Sequence, residues 1–374
     1  MFVTIQKSTL AGAVSKVARM VAKGNTIPIL NCIKVSATDE SVILVGGNTE
    51  HSIEISIPVD QENGVIVEKS GNIVLPYLFY DIVRKMEGDI VIQTNELIAT
   101  IKAGKAKFEL NGLDAEEYPS HAKKDGEEKS FSLTGEELQT LIKKTGYCAS
   151  KSAERPILQG VYIEIEQKKL RFNATDAHRL GIGKIALNDE IEDNLGIVVH
   201  HDSLSELVRV LDEKDMVKIT LTDHLFIAET EGVIFRSRLL DGNFPDVNRV
   251  LPTKFSTKLS LNRAEFLTAL ERLSVLAGGK VAKLTVKETD VGQVVELGAN
   301  EKERGSAHET MFVGEYEGEP LKIAFNVVYA IEALKAIDDQ EVMLSFTGEF
   351  SPFTITPMNG GENELHLILP VRLN

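Results

Sequence analysis

Cysteine is almost absent: Cys32 and Cys148 are the only two in 374 residues. Two thiols without metal-ligand spacing build neither a disulfide framework nor a zinc site. The chain is therefore expected to fold on a hydrophobic core in a reducing cytoplasm. No apolar run approaches the ~20 residues that a membrane span needs, so no membrane partner is expected. Met1 to Lys7 lacks a charged stretch followed by an apolar one, so no signal peptide is expected either.

Catalytic signatures are missing as well. There is no Gly-x-Ser-x-Gly elbow, and none of the 28 glycines forms a Gly-x-Gly-x-x-Gly run after a strand. Gly278-Gly279-Lys280 lacks the rest of a phosphate-cradling loop. His200 and His201 are adjacent, so in an extended segment they point opposite ways, which suits metal chelation poorly. No metal and no cofactor is expected. Thr175-Asp176-Ala177-His178-Arg179 is the one sequence that invites a catalytic reading, because an Asp–His pair can orient a general base. A tandem-repeat enzyme using the Asp176/His178 region is the alternative reading. With no nucleophile motif beside it, the preferred reading is a turn whose His178 and Arg179 satisfy carbonyls or line a binding surface.

Positive charge is in short supply: 41 Lys and Arg face 56 Asp and Glu, a net −15. Nucleic-acid binders carry basic patches that displace phosphate counterions. With this balance, DNA binding requires the positive charge to be segregated onto one surface.

The chain does contain a repeat. At ~150 residues per domain its length predicts two or three domains, and three segments open alike, with a short strand, a polar cap and an amphipathic helix. Ile5, Leu133 and Leu261 recur at an interval of 128, as do Leu10, Leu138 and Phe266, and Val14, Ile142 and Leu270. A second helix recurs at Asp81–Met86, Glu206–Leu211 and Glu332–Ile337, each followed by alternating strand-like residues. Leu113-Asp114 before Tyr118-Pro119 matches Leu240-Asp241 before Phe244-Pro245. Polar junctions lie at His121–Lys129 and at Asn248–Thr257 around Pro252. The expected fold is α+β, two helices packed on antiparallel sheets in each of three tandem domains at 1–125, 129–250 and 254–374.

The first helix, expected over 8–23, carries Lys16, Arg19 and Lys23 and no acid. These three share one face, roughly opposite Leu10, Val14, Val17 and Val21. Six expected helices (8–23, 77–87, 134–151, 203–214, 262–276 and 327–338) together hold thirteen basic and eleven acidic residues, leaving −17 on the rest. One helix surface repeated three times can line a concave wall that binds phosphates without reading bases.

Several words in this order resemble one family, the bacterial sliding clamps, the processivity (beta) subunit of DNA polymerase III. They are Thr26-Ile27-Pro28-Ile29-Leu30, Arg155-Pro156-Ile157-Leu158-Gln159-Gly160-Val161, Ala174-Thr175-Asp176-Ala177-His178-Arg179-Leu180, Asn243-Phe244-Pro245-Asp246-Val247-Asn248-Arg249-Val250-Leu251-Pro252 and Leu369-Pro370-Val371-Arg372-Leu373. The resemblance covers the whole chain. It implies a non-enzymatic clamp, a head-to-tail homodimer closed into a ring, with helices lining a hole for double-stranded DNA. It implies a peptide groove at Leu158, Thr175, His178, Arg179, Leu180, Pro245, Arg249, Val250, Leu367, Ile368, Leu369, Pro370, Val371, Arg372 and Leu373. It also implies a dimer interface at Phe108 and Leu110 against Val275 and Leu276, and DNA-facing Lys16, Arg19, Lys23 and Lys151. The implied partners are the DNA polymerase III catalytic subunit, an ATP-dependent clamp loader, and other polymerases and repair proteins carrying clamp-binding peptides. Gly24 departs from the family, in which many members have Arg at that DNA-contacting place. Tyr77, Ser152, Pro156 and Ile157 occupy other such places and none is basic.

Overall fold

The computed structural model describes every residue except 22, 23, 25, 120–127, 167, 188–194, 277–280, 291, 302–304, 373 and 374. Lys23, Leu373, Gly278-Gly279-Lys280 and most of the first polar junction thus lie outside the described residues. Among those described there are six α-helices: α1 (Lys7–Met20), α2 (Leu78–Lys85), α3 (Gly135–Thr145), α4 (His201–Val208), α5 (Arg263–Leu276) and α6 (Val327–Ala336). None is long and apolar enough to cross a membrane. Strands fill four antiparallel sheets of five, eight, nine and four strands.

The 128-residue interval marks the core. α1, α3 and α5 each follow a strand, at Phe2–Ile5, Lys129–Thr134 and Thr257–Asn262. Ile5, Leu133 and Leu261 at the strand ends are buried, and so are Leu10, Leu138 and Phe266 and then Val14, Ile142 and Leu270 on the helices. Positions three to four residues apart lie on one helix face, so a single stripe packs on the sheet in every copy. The helices are shorter than the sequence reading predicts. α1 ends at Met20, where Val21 turns extended (ψ 109°). α3 passes into a 3₁₀ turn at Gly146–Cys148, and Lys151 lies beyond both instead of in a helix.

The chain forms two compact units, one of residues 1–136 with 202–239 and the other of 137–201 with 240–374. The middle repeat is divided between them. Its strands Lys129–Thr134, Met216–Leu221, Leu225–Thr230 and Val233–Arg238 continue the eight-stranded sheet of the first unit. There Val233–Arg238 pairs with His51–Pro58, setting Phe235 opposite Ile53. Its other strands, Gly160–Glu166, Lys169–Thr175, Arg179–Ala186 and Leu195–His200, belong to the nine-stranded sheet of the second unit. In that sheet Arg179–Ala186 pairs with Glu364–Ile368. Each seam pairs backbone groups that a free-standing repeat would expose as a sheet edge.

Helix and sheet meet closely at two glycine sites. In the first unit a β-carbon on Gly46 would stand 2.5 Å from Val17 Cγ1 of α1. In the second, a β-carbon on Gly181 would stand 2.9 Å from the Lys144 carbonyl oxygen of α3. Both contacts are tighter than a side chain allows, so glycine sets how near each helix lies to its sheet.

Candidate functional site

The second unit gathers most of the groove residues expected from sequence. The hairpin from Lys169–Thr175 into Arg179–Ala186 turns at Asp176, with Ala177 in the left-handed region at φ 73°. Asp176 Oδ1 accepts the backbone N–H groups of His178 (2.9 Å) and Arg179 (3.1 Å). Its Oδ2 accepts Arg179 Nε at 2.9 Å. The Thr175 hydroxyl donates to the Arg179 carbonyl at 2.5 Å and accepts the Ala177 N–H at 3.1 Å. The carboxylate thus shapes the turn, and both its oxygens are engaged by Arg179 and the backbone. The alternative of an Asp176-oriented His178 base finds no support in this geometry, because the groups Asp176 holds are not the His178 ring.

Arg179 anchors the turn to the helices of its unit. Its guanidinium pairs with Glu332 on α6 and lies over the rings of Tyr329 (4.4 Å) and Tyr147 (5.3 Å). Below it, Tyr147 Oη and His366 Nδ1 are 2.7 Å apart, His366 Nε2 is 2.9 Å from Glu364, and Lys144 pairs with the same carboxylate at 2.8 Å. Burial alone would push the Glu364 carboxyl up, but the hydrogen bond from His366 and the nearby Lys144 hold it below the ordinary value. Burial pushes the Cys148 thiol up to about 12, so this cysteine stays protonated and is no nucleophile. Among the described residues no cluster of metal-ligating side chains occurs.

On the sheet's other face lies an apolar floor. Leu180 and Ile182 stand opposite Leu367 and Leu365 across the strand pair. Leu180, Ile182, Val247 and Leu367 form a buried cluster, with Phe244, Leu251, Leu365 and Leu369 packed around it half-buried. The segment after Phe244 is held down by stacking of Phe244 on Tyr162 (5.0 Å) and by an Arg171–Asn248 hydrogen bond of 2.8 Å. Its 3₁₀ turn Val247–Val250 leaves Val250 52% exposed at the rim. Pro245 and Arg249 are also exposed there, Arg249 hydrogen-bonding Asp246 at 3.0 Å. Leu369 to Arg372 lie on the other side. The Leu369 N–H donates to the His178 carbonyl (2.9 Å) and the Val371 N–H to that of Ala324 (2.7 Å). Pro370 bridges to Phe325, and Arg372 is exposed.

Leu158 and Ile368 play other parts. Ile368 is buried in the core of α5 and α6. Leu158 is buried on the 3₁₀ turn Pro156–Gln159 and borders a cavity of about 590 Å³ with Lys151, Asp176, Arg179, Tyr329 and Glu332. Sequence reasoning missed Ile182, Phe244, Val247, Leu251 and Leu365, which form or pack against this apolar cluster. The signal for Ile182 and Leu365 was the alternation of their strands, which puts every second residue on the floor.

The expected DNA-facing Lys16, Arg19 and Lys151 differ in their pairing from three helix cations of the second unit, Lys143, Lys335 and Arg272. In the first unit Lys16 is half-buried and Arg19 exposed, both away from the packed Val14 and Val17 face, and neither makes an ion pair among the described residues. Lys151 of the second unit is likewise exposed and unpaired among them. In that unit Lys143 pairs with Asp338 (2.5 Å), Lys335 with Glu271 (2.7 Å) and Arg272 with Glu309 (2.5 Å). Of the expected interface residues, Phe108 is 43% exposed on the edge strand Ala106–Asn111, whereas Leu110 is 7% exposed and sits in its own sheet's core. In the second unit Val275 at the end of α5 is 80% exposed, and Leu276 beside it is half-buried.

Family models for the DNA polymerase III beta subunit match the chain throughout: the N-terminal domain over 1–122, the central domain over 132–246 and the C-terminal domain over 248–372. The Beta sliding clamp of Bacillus subtilis is 38% identical over 99% of both chains. That of Staphylococcus aureus is 35% identical over 99% of this chain and 98% of its own. Among solved structures, the DNA polymerase sliding clamp of Bacillus subtilis superposes with a TM-score of 0.95 at 37% identity, covering both chains fully. The beta chain of Streptococcus pneumoniae DNA polymerase III gives 0.94 at 30% identity, also over both full lengths.

Proposed function

The chain belongs to the DNA polymerase III beta subunit family, the DNA sliding clamps, and from that premise we propose how its own residues do the work. It is a non-catalytic clamp that tethers a polymerase to its template. Three domains, 1–125, 129–250 and 254–374, in each of two copies joined head to tail close a ring around duplex DNA. Phe108 supplies one side of the joint, backed by Leu110, and Val275 with Leu276 supplies the other. Apolar contact of this kind suits a long-lived interface. Lys16, Arg19 and Lys151 face the duplex and meet phosphates without reading bases. Linkage by topology lets the ring slide while it holds, so tight local contact is unnecessary.

Partners dock a short apolar peptide in the groove of the second unit. The observation that carries this reading is the buried Leu180–Val247–Leu367 floor with Val250 exposed and Leu369 half-buried at its rim. An apolar floor with a few fixed polar groups is the usual make-up of a peptide site. The DNA polymerase III catalytic subunit, other polymerases and repair proteins take turns in it. The sequence has no nucleotide-binding loop, so a separate ATP-driven loader opens the ring. The clamp works in the cytoplasm, where the DNA is. The test is paired on one variant, Val250→Asp: anisotropy titration of a fluorescent clamp-binding peptide, and mass by light scattering. The expected result is peptide affinity lowered by more than tenfold with the dimer mass kept. Unchanged peptide affinity in a folded dimer overturns the groove assignment.

A further inference from the structure

Past Leu369 the chain continues from the groove onto a neighbouring face of the same unit. The Val371 N–H donates to the Ala324 carbonyl at 2.7 Å and Pro370 bridges to Phe325, so this segment runs antiparallel beside the strand Lys322–Asn326. Val371 stands two residues from Leu369, the spacing that keeps side chains on one face of an extended segment. It is half-buried and borders a cavity of about 210 Å³ together with Lys283, Lys322, Ala324, Glu349 and Phe350. Phe350 is 63% exposed. An apolar path therefore leads from Leu367 and Leu369 through Val371 to Phe350.

Two lysines stand at the end of this path, and strand register explains why no acid meets them. Lys283 lies opposite Gly298 on one side and Ala324 on the other, and Lys322 lies opposite Thr285. Leu284 and Ile323 next to them belong to the core, so alternation puts both lysines on the outer face, where they are exposed. Neither makes an ion pair among the described residues. Lys287, on the same strand as Lys283, pairs with Glu296 at 2.5 Å, and Lys143, Lys335 and Arg272 of this unit are paired as well. Among the described residues Glu349 is the one acid bordering the cavity. The patch is thus positive in a chain of net −15.

We propose that Lys283 and Lys322 select partner peptides that carry acidic residues beside their apolar anchor. The inference rests on the groove reading above, with the anchor on the Leu180–Leu367 floor and the flanking residues over Val371 and Phe350. Asn326 is level with Leu369, and Lys322 lies four residues further along that strand, about 13 Å. An extended peptide covers the same span in as many residues, so carboxylates about two to four residues from the anchor come within reach of the lysines. Exposed ion pairs are individually weak and screened by salt. The two lysines therefore rank competing partners, while the apolar floor supplies most of the affinity.

The test uses the full-length dimer and four acetylated, amidated peptides that share one apolar anchor. They carry Asp-Asp or Asn-Asn about three residues before the anchor or after it. Affinities are read by competition anisotropy in low and high salt. In low salt one Asp-Asp peptide should bind about three- to tenfold more tightly than its Asn-Asn twin, and high salt should erase the difference. Lys283→Gln with Lys322→Gln should erase it too, while the Asn-Asn peptide binds that double variant as it binds the parent. Both lysines are exposed, so the double variant should fold. Equal binding of the twins in low salt would overturn the proposal. So would a preference that survives the double variant, which would assign it to another cation such as Arg249 or Arg372. Val250→Asp keeps the two readings apart: it should weaken all four peptides together, and unchanged affinities there would strike the groove itself.

Discussion

Leu180 and Leu367 face one another across an antiparallel pair, 2% and 3% exposed, although one belongs to the middle repeat and the other to the last. Neither repeat alone has this floor. Val247 completes it from the segment between them. Truncation of Leu367 to Ala should therefore affect both stability and binding. A buried leucine reduced to alanine costs about 2–5 kcal/mol, read as a lower denaturant midpoint, and peptide affinity should fall in the same variant.

Val250 separates the two effects. It is exposed at the rim, so Val250→Ala should leave the denaturant midpoint unchanged, surface changes falling within about 0.5 kcal/mol. Peptide affinity should fall about tenfold, because apolar anchors at a groove carry much of its binding energy. Calorimetric titration beside denaturant melts reads both.

Gly46→Ala should destabilise the first unit by about 1–3 kcal/mol, as overpacking does, because the new β-carbon meets Val17 of α1. Pairing it with Val17→Ala should recover part of that loss by making room. Thermal melts of the two variants check this; equal loss in single and double variants would mean that Val17 is not the obstacle.

Lys16→Glu with Arg19→Glu should weaken duplex binding and flatten its dependence on salt, since each lost phosphate contact releases about one counterion fewer. Lys335→Glu should have a smaller effect, because Lys335 is already paired with Glu271. Fluorescence titrations with duplex DNA at several salt concentrations measure both slopes.

The Glu364 carboxyl titrates below its ordinary value of 4.5 in the folded chain. A depressed carboxylate contributes stability that is present above its unfolded pKa and lost as pH falls through the folded one. Stability should thus decline as pH drops below about 4.5, and Glu364→Gln should flatten that part of the profile while lowering stability at neutral pH. Urea melts across the acid range test it.

Much of this was legible in the sequence, and the reason is local. Helix periodicity and cap residues are written within a few neighbouring positions, so the interval that links Ile5, Leu133 and Leu261 located three buried strand-to-helix junctions. Strand partners are not written locally. Alternation says that Leu180 and Ile182 share a face, but not that Leu367 and Leu365 oppose them. For the same reason the sequence does not reveal that the middle repeat divides between two sheets. The sequence could not choose between a turn and an Asp176-oriented His178 by spacing alone, because proximity in sequence says nothing about which group a carboxylate holds; here it holds Arg179 and two backbone N–H groups. Charge counts likewise do not reveal pairing, since Lys143, Lys335 and Arg272 are paired with acids far away in sequence.

The central claim is topological, and retention on DNA of different topology measures it most directly. Labelled protein is loaded onto a nicked circular plasmid by a clamp loader, separated from free protein by gel filtration in high salt, and measured before and after the plasmid is cut once. Retention on the circle, with release after the single cut, is the predicted result. Retention that does not change when the circle is opened would mean that the protein holds DNA by surface contact, and that it does not encircle it.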